Sequence, residues 1–321
     1  MLGQVATRLT QPSLVALGPF IALLLACAFF ATQSDRFLTG QNLSLILQQV
    51  MVVGVLAIGQ TLIVLTAGID LACGMVMALS SIVMTRSAVE LGLNPYLAIL
   101  LGLSVAAAFG SVNGALITLI RLPPFIVTLG TLNIAFAITQ IYSDAQTVVG
   151  LPDALLFFGT TFRIRDTAIT YGTVLMLAMY LIAWVVLRDT AAGRHVYAVG
   201  NNREAARLMG ISTRRVLLTV YALAGFIYGI GALLLVARTG VGDPQAGQTE
   251  NLDTITAVVL GGTSLFGGRG IILGSLVGAL IIGVFRNGLT LMGVASVYQI
   301  LITGILVILA VSIDQLSHRR P

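Results

Sequence analysis

The chain has 321 residues, of which 57% are hydrophobic and only 9% are charged, and its mean hydropathy is +1.01. So little polar surface excludes a water-soluble globule of this length. The formal net charge of +5 does not indicate nucleic-acid binding, because the arginines are spread over loops and form no stripe. The composition therefore predicts a protein that lies in lipid.

Ten hydrophobic segments follow one another along the chain. They are 14–32, 44–66, 71–85, 95–120, 124–142, 168–187, 216–236, 253–266, 271–291 and 297–313. Most have the length of about 20 residues that a helix needs to cross the hydrocarbon core, and none alternates with the period of two that marks a membrane β-barrel. The 35 glycines predict tightly packed helices. We expect an all-α polytopic membrane protein with residues 1–321 in a single transmembrane domain.

The segment 253–266 is the weak point of this count, because it is short and ends in glycines. It either crosses the membrane as an unusually short span, or it is re-entrant, with both of its ends on the same face of the membrane. In the second case another segment must be split, and residues 110–114, with Gly110 and Gly114, are the candidate break. Irregular backbone at membrane depth is tolerated only where protein or a water-filled cavity surrounds it. These glycine breaks therefore point toward a pathway.

Charge asymmetry predicts the orientation. Segment 188–215 holds six arginines against two acidic residues, whereas 238–253 holds one arginine against three acidic residues. The positive-inside rule places the first segment in the cytoplasm and the second outside. Arg8 and the pair Arg319 and Arg320 indicate that both termini are cytoplasmic.

A short polar helix is predicted at 200–211, inside the cytoplasmic loop 188–215. Asn201 is placed to cap it, with Glu204 three residues on as in a capping box, and Gly210 suits a left-handed stop. One face of this helix is apolar and another is basic. The apolar face holds Ala205, Leu208 and Met209, and the basic face holds Arg203 and Arg207. Such a helix fits a socket in a partner protein, and the alternative is a solvated linker between two spans.

No catalytic, cofactor or metal site is expected. The glycine-rich run 261–270 has no lysine and so lacks the phosphate loop G-x-x-x-x-G-K-[ST]. The cysteines Cys27 and Cys73 are isolated, and no histidine pair or clustered carboxylates lie in the apolar spans. If ATP drives this protein, the ATPase must be another chain.

Several motifs follow one another from about residue 40 to 315. They are Gly59-Gln60-Thr61-Leu62, Thr66-Ala67-Gly68-Ile69-Asp70-Leu71, Asn113-Gly114, Leu122-Pro123-Pro124-Phe125-Ile126-Val127-Thr128-Leu129-Gly130-Thr131, Gly193-Arg194-His195-Val196-Tyr197-Ala198-Val199-Gly200-Asn201, and Leu252-Asp253 through Gly268-Arg269-Gly270. In sequence and in order they resemble the motifs of the inner-membrane permeases of ribose-type monosaccharide ABC importers. The family usually has Gly-Gly-Ile-Asp-Leu-Ser-Val-Gly where this chain has Ala67-Gly68-Ile69-Asp70-Leu71-Ala72-Cys73-Gly74. These exchanges of small residues leave the fold intact and bear on the pore lining.

The resemblance implies the ABC importer permease fold and a bacterial inner-membrane location. It also implies a permease homodimer, a cytoplasmic ABC ATPase, a periplasmic sugar-binding protein and a pentose or hexose such as ribose, xylose or fructose as solute. The polar helix then corresponds to the segment that couples the permease to the ATPase. Its coupling residues are Gly200, Asn201, Glu204, Ala205, Ala206, Leu208 and Gly210.

Polar residues inside the apolar spans are candidates for the translocation path. They are Asp70, Asn113, Thr128, Thr131 and Asn133. Neutral polar groups suit a neutral polyhydroxy solute, but such groups also join membrane helices by hydrogen bonds. Asp70 has a second interpretation as the cap of helix 71–85. Arg286, embedded beside Asn287, is expected to pair, to snorkel or to face water.

Two alternatives remain open. A secondary transporter would share the composition, but it would ordinarily embed more carboxylates than Asp70 and needs no coupling helix. An ABC permease for another small solute, such as a branched-chain amino acid or a furanone-type signal, would share the architecture. A zwitterionic solute would favour helix termini and charges near the path.

Overall fold

A computed structural model describes residues 14–164 and 166–318. The helices are α1 Leu14–Gln33, α2 Gly40–Leu65, α3 Cys73–Val89, α4 Pro95–Ala115, α5 Pro124–Ser143, α6 Asp153–Leu156, α7 Tyr171–Asp189, α8 Ala191–Asn201, α9 Arg203–Leu208, α10 Thr213–Thr239, α11 Glu250–Leu260, α12 Ile272–Leu291 and α13 Ser296–His318. A π-helical turn, Leu116–Ile120, continues α4. Arg8, Arg319 and Arg320, on which the orientation of the termini rested, lie outside the described residues.

Six of the helices in the described part of the chain are long and apolar enough to cross a membrane. They are Gly40–Leu65, Pro95–Ile120, Pro124–Ser143, Tyr171–Asp189, Thr213–Thr239 and Ile272–Leu291. The apolar stretches Gly18–Gln33, Cys73–Val89 and Ser296–Ile305 are shorter. The polytopic helical membrane protein is confirmed, and the count of about ten segments stays a prediction.

A β-hairpin is the exception to the expected all-α fold. Strands β1, Thr161–Ile164, and β2, Thr167–Thr170, pair antiparallel. The predicted span 168–187 therefore starts too early, because β2 ends at Thr170 and the side chain of Thr170 caps α7 by accepting the N–H of Thr173. Ser44 of α2 donates a hydrogen bond of 2.5 Å to the Ala168 carbonyl. This bond holds the hairpin against the start of α2.

Helices α2 and α10 form the centre of the molecule, with about four fifths of their apolar stretches buried. Glycine makes their contacts close. A Cβ at Gly110 of α4 would meet the Tyr221 carbonyl and Gly225 of α10, and a Cβ at Gly59 of α2 would meet the Tyr228 ring. The glycines therefore serve helix packing, as expected. The proposed break at 110–114 is wrong, because α4 passes through Gly110 and Gly114 without interruption.

Helix α11 is too short to span a bilayer. Its 11 residues rise about 16 Å at 1.5 Å per residue, roughly half of the hydrocarbon core. Its N-terminus meets the N-terminus of α3, since a Cβ at Gly74 would touch the Gly247 carbonyl and Asn251 Nδ2 donates to the Leu71 carbonyl at 3.3 Å. Two helix starts and the irregular segments that precede them thus come together inside the protein.

Candidate functional site

A buried polar cluster lies between α2, α10 and the segment 66–72. The carboxylate of Asp70 is 2% exposed and its Oδ1 accepts the N–H of Ala72 at 2.8 Å. The Tyr228 hydroxyl, close to this carboxylate, donates to Gln60 Oε1 at 3.3 Å. Asp70 therefore fixes the turn just before α3 begins, but it is not the cap of this helix, because the N-cap is Ala72 and no side chain caps it.

Three polar atoms in this region have no hydrogen-bond partner among the described residues. They are Gln60 Nε2 on α2, Asn113 Oδ1 on α4 and the Tyr221 hydroxyl on α10. A buried polar atom without a partner costs about 1–3 kcal/mol. A Cβ at Gly68 would lie 2.7 Å from the Tyr221 hydroxyl, so this atom faces the same segment as Asp70. The junction of the three helices thus retains unused hydrogen-bonding capacity.

Four of the five predicted path residues are buried. Asp70, Asn113, Thr128 and Thr131 are each at most 5% exposed, whereas Asn133 is exposed. Thr128 Oγ1 donates to the Ile69 carbonyl at 3.2 Å, which joins α5 to the segment that carries Asp70. In this conformation the four residues are buried in the protein interior, and Asn133 alone among the five faces outward.

An open surface of amide side chains runs from α5 to the segment 244–249. We name it the amide strip; it consists of Asn133, Gln140, Gln245 and Gln248. Asn133 and Gln140 are seven residues apart and so lie on one face of α5. Gln140 Nε2 donates to the Pro244 carbonyl at 2.9 Å, Gln245 Nε2 lies 3.5 Å from Gln140 Oε1, and Gln248 Nε2 donates to Gln245 Oε1 at 2.5 Å.

Gln245 and Gln248 are not among the path residues that the sequence predicts. Their pattern, two amides three residues apart, is a weak signal, and their partner Gln140 is more than 100 residues away. The backbone N–H of Gln245 is held by Asp243 Oδ1 at 2.8 Å, which fixes the turn that presents them. The strip offers both donors and acceptors and carries no charge of its own.

The predicted coupling helix is α9, and its cap differs from the expectation. Asn202 is the N-cap, because its Oδ1 accepts the N–H of Ala205 at 2.9 Å, whereas Asn201 is the last residue of α8. Glu204 does not close a capping box; it binds Arg207 at 2.6 Å. Asn202 caps α9 in place of Asn201, because Asn201 is still part of the preceding helix α8. The left-handed stop at Gly210, with φ of +85°, is confirmed.

The outer face of α9 is apolar. Leu208 and Met209 are 78% and 83% exposed, and Ala205 is also exposed. Ala206 points inward and packs in a small cluster with Val199 and Leu217. We name Ala205, Leu208 and Met209 the outer knob, and its exposed apolar surface makes it a candidate for contact with a partner protein.

Gly200 has a packing role. A Cβ at this position would overlap the Leu65 carbonyl at the end of α2 and the Gly268 N–H. Gly200 therefore lets α8 lie directly on the core, and the outer knob projects from a fixed base. Among the residues that the structure describes, no group of three His, Cys, Asp or Glu side chains could hold a metal ion.

Comparison with known proteins agrees with this architecture. Residues 42–311 match the family described as "Branched-chain amino acid transport system / permease component". The chain is 46% identical to the fructose import permease protein FrcC of Rhizobium meliloti, over 92% of this chain and 84% of that protein. It is 40% identical to the ribose import permease protein RbsC of Bacillus subtilis, over 93% and 92% of the two chains.

A third relative is the D-allose transport system permease protein AlsC of Escherichia coli, 36% identical over 94% of this chain and 92% of that protein. No solved structure matches. The family match covers most of the chain, and these relatives align with nearly its whole length. The chain therefore belongs to the permease-component family that includes these sugar import permeases.

Proposed function

We propose that this chain is the transmembrane permease subunit of an ATP-driven ABC importer that carries a monosaccharide, a pentose or hexose, into the cytoplasm. The observation that carries the proposal is the similarity, over nearly the whole chain, to permeases named for fructose, ribose and allose. The resemblance of the motifs points to the same class of solute.

The amide strip supports a sugar as the solute. Asparagine and glutamine side chains donate and accept hydrogen bonds without charge, as sugar hydroxyls require. A branched-chain amino acid, which the family description names, carries an ammonium and a carboxylate that favour charged partners or helix termini. The strip itself supplies neither kind of charge, so it favours the sugar over the amino acid.

The proposed assembly follows from the same membership. Two copies of the permease pair in the bacterial inner membrane, and a periplasmic sugar-binding protein delivers the solute. ATP hydrolysis is on a separate cytoplasmic ABC ATPase, and the outer knob on α9 docks into it. Both termini and this loop are then cytoplasmic, and 238–253 faces outside.

Uptake by proteoliposomes tests the function. The permease is reconstituted with its ATPase and binding protein, and accumulation of labelled fructose, ribose, allose and leucine is measured with and without ATP. We expect ATP-dependent uptake of at least one sugar and none of leucine. Leucine uptake would assign the amino-acid alternative, and uptake by the permease alone, driven by an ion gradient, would assign a secondary transporter.

A further inference from the structure

A basic cleft opens between the start of α5 and helices α9 and α10. Four arginines line it, Arg121, Arg203, Arg207 and Arg214, together with one carboxylate, Glu204. Arg207 is paired with Glu204 at 2.6 Å. The other three arginines form no ion pair with any residue that the structure describes. The cleft thus gathers unneutralised positive charge in one place.

Arg214 lies where a cation is unfavourable for the helix. It belongs to the first turn of α10, at the positive end of the helix dipole, and this turn contains no acidic residue. A cation there is compensated when an anion lies close by, since the same helix end attracts anions. An anion bound in the cleft would offset this unfavourable position of Arg214.

Arg121 is held in place by its backbone. It ends the π-helical turn with φ of 65°, donates its N–H to the Leu116 carbonyl, and is followed by Pro123 and Pro124. The side chains next to it are apolar and open: Leu119, Ile120 and Phe125 are 51%, 62% and 50% exposed. We name these three the apolar rim. They lie at the adjoining ends of the membrane spans Pro95–Ile120 and Pro124–Ser143.

We propose that the basic cleft binds the phosphate of an anionic phospholipid, whose acyl chains pack on the apolar rim. A free phosphate would use the arginines but leave the rim uncovered, whereas a lipid satisfies both. Basic pockets between membrane helices on the cytoplasmic side are suited to anionic headgroups, and the inference rests on the proposed orientation, which places the cleft on that side. The lipid would join the α4–α5 connection to the base of α9. This proposal does not depend on which solute the permease carries.

Lipid binding to the purified full chain tests the proposal. Delipidated permease in detergent is titrated with phosphatidylglycerol or with phosphatidylcholine of the same acyl chains, and bound lipid is counted by native mass spectrometry. The double variant Arg121→Gln/Arg214→Gln leaves the outer knob untouched. It should bind phosphatidylglycerol about tenfold or more weakly, because each arginine near a lipid surface contributes substantially to the affinity for an anionic headgroup.

The matched control is Arg36→Gln/Arg163→Gln, which also removes two exposed arginines but lies outside the cleft. It should bind phosphatidylglycerol as the unaltered chain does. The variant Arg121→Lys/Arg214→Lys keeps the charge and should keep most of the preference. If the double variant does not fold, Arg214→Gln alone is measured, because the charge it removes already opposes the helix dipole.

Three results would overturn the proposal. The first is an unchanged preference for phosphatidylglycerol in the glutamine variants. The second is displacement of the lipid by millimolar inorganic phosphate, which would assign a free anion. The third is loss of ATPase co-purification from the double variant with lipid binding intact, which would assign the cleft to an acidic surface of the ATPase.

Discussion

Arg286 of α12 binds the carboxylate of Asp253 on α11, with Nη2 2.5 Å from Oδ2. Asp253 is 1% exposed and Arg286 is 32% exposed. The expectation that an embedded arginine pairs is met here, and the pair accounts for the position of Arg286 inside an apolar helix. Helix α11 is too short to span the bilayer, so it depends on contacts with neighbouring helices. This charge pair is one of the contacts that hold α11 against α12.

Breaking this pair should destabilise the permease. Asp253→Asn leaves the arginine without its counter-charge, and the loss of one partner of a buried pair costs about 3–5 kcal/mol. Since Arg286 reaches solvent, we expect the lower end of this range. The measurement is thermal unfolding of the purified protein in detergent.

Two further variants make this prediction specific. Asp189→Asn removes the partner of Arg188, but both side chains are more than half exposed and lie 3.6 Å apart, so the change should be below about 1 kcal/mol. The apolar double variant Asp253→Leu/Arg286→Leu should recover part of the loss, because neither charge remains buried. Equal stability of Asp253→Asn and the unaltered chain would show that the pair contributes nothing.

Gly200 should tolerate no side chain. In Gly200→Val the new carbons would overlap the backbone of Leu65 and Gly268, which belong to separate elements. Overpacking of this kind costs about 1–3 kcal/mol. The comparison is Gly304→Ala in α13, where a Cβ would meet nothing within 4 Å and the stability should hold or rise slightly. Thermal unfolding that ranks the two variants in the opposite order would contradict this role.

Hydrophobic windows predicted the long helices because a helix in lipid must be apolar for about 20 residues. The same windows miss secondary-structure elements that are short or polar. Helix α8, Ala191–Asn201, and the hairpin 161–170 carry too little apolar sequence to register. The glycines at 110–114 also led to the wrong prediction of a helix break. Gly110 lacks a side chain because α4 packs closely on Gly225 of α10, and the helix continues through it.

The site was harder to predict because exposure depends on the neighbours of a helix. Asn113 and Asn133 both sit in apolar spans and look alike in the sequence, yet Asn113 is 1% exposed and Asn133 faces outward. Asn113 lies between Gly110 and Gly114, which pack closely against α10, and no local pattern reveals this packing. The amide strip, with Gln140 and Gln245 far apart in sequence, required the tertiary structure.

The two alanines of α9 should respond differently to enlargement. Ala205 is exposed on the outer knob, so Ala205→Trp should leave the fold intact and block the seating of the ATPase. Ala206 is 5% exposed against Val199 and Leu217, so Ala206→Trp should lower the unfolding temperature. Co-purification of the ATPase and thermal unfolding are measured for both. Undiminished ATPase recovery and full uptake with Ala205→Trp would mean that α9 is only a linker.

The proposed orientation is testable by cysteine labelling. Cys27 and Cys73 are first replaced, and a single cysteine is placed at the exposed position Asn202 or Gln245. An impermeant thiol reagent should label Gln245→Cys in intact cells and Asn202→Cys only after the membrane is opened. The opposite pattern would reverse the topology and place α9 where no ATPase can reach it.

Loss of an amide from the strip should weaken sugar transport without harming the fold. Gln140→Leu removes the donor to Pro244 and the acceptor facing Gln245, so it disturbs the segment 244–249 as well as the surface. Gln248→Leu is the cleaner change, because its side chain is exposed and bonds only to Gln245 among the described residues. If a sugar hydroxyl uses this amide, its loss should raise KM for uptake about tenfold, the effect of roughly 1.4 kcal/mol.

Gln33→Leu is the matched control, since Gln33 is an exposed amide on α1 that bonds only to the neighbouring Thr32. It should leave KM unchanged. Without sugar, the assembled importer should hydrolyse ATP at the same rate with the unaltered chain, with Gln248→Leu and with Gln33→Leu, because the strip does not touch the outer knob. A KM for Gln248→Leu equal to that of Gln33→Leu would remove the strip from the path. The buried residues Asp70, Asn113, Thr128 and Thr131 would then be the next to test, in a conformation that opens the interface between α2, α4 and α10.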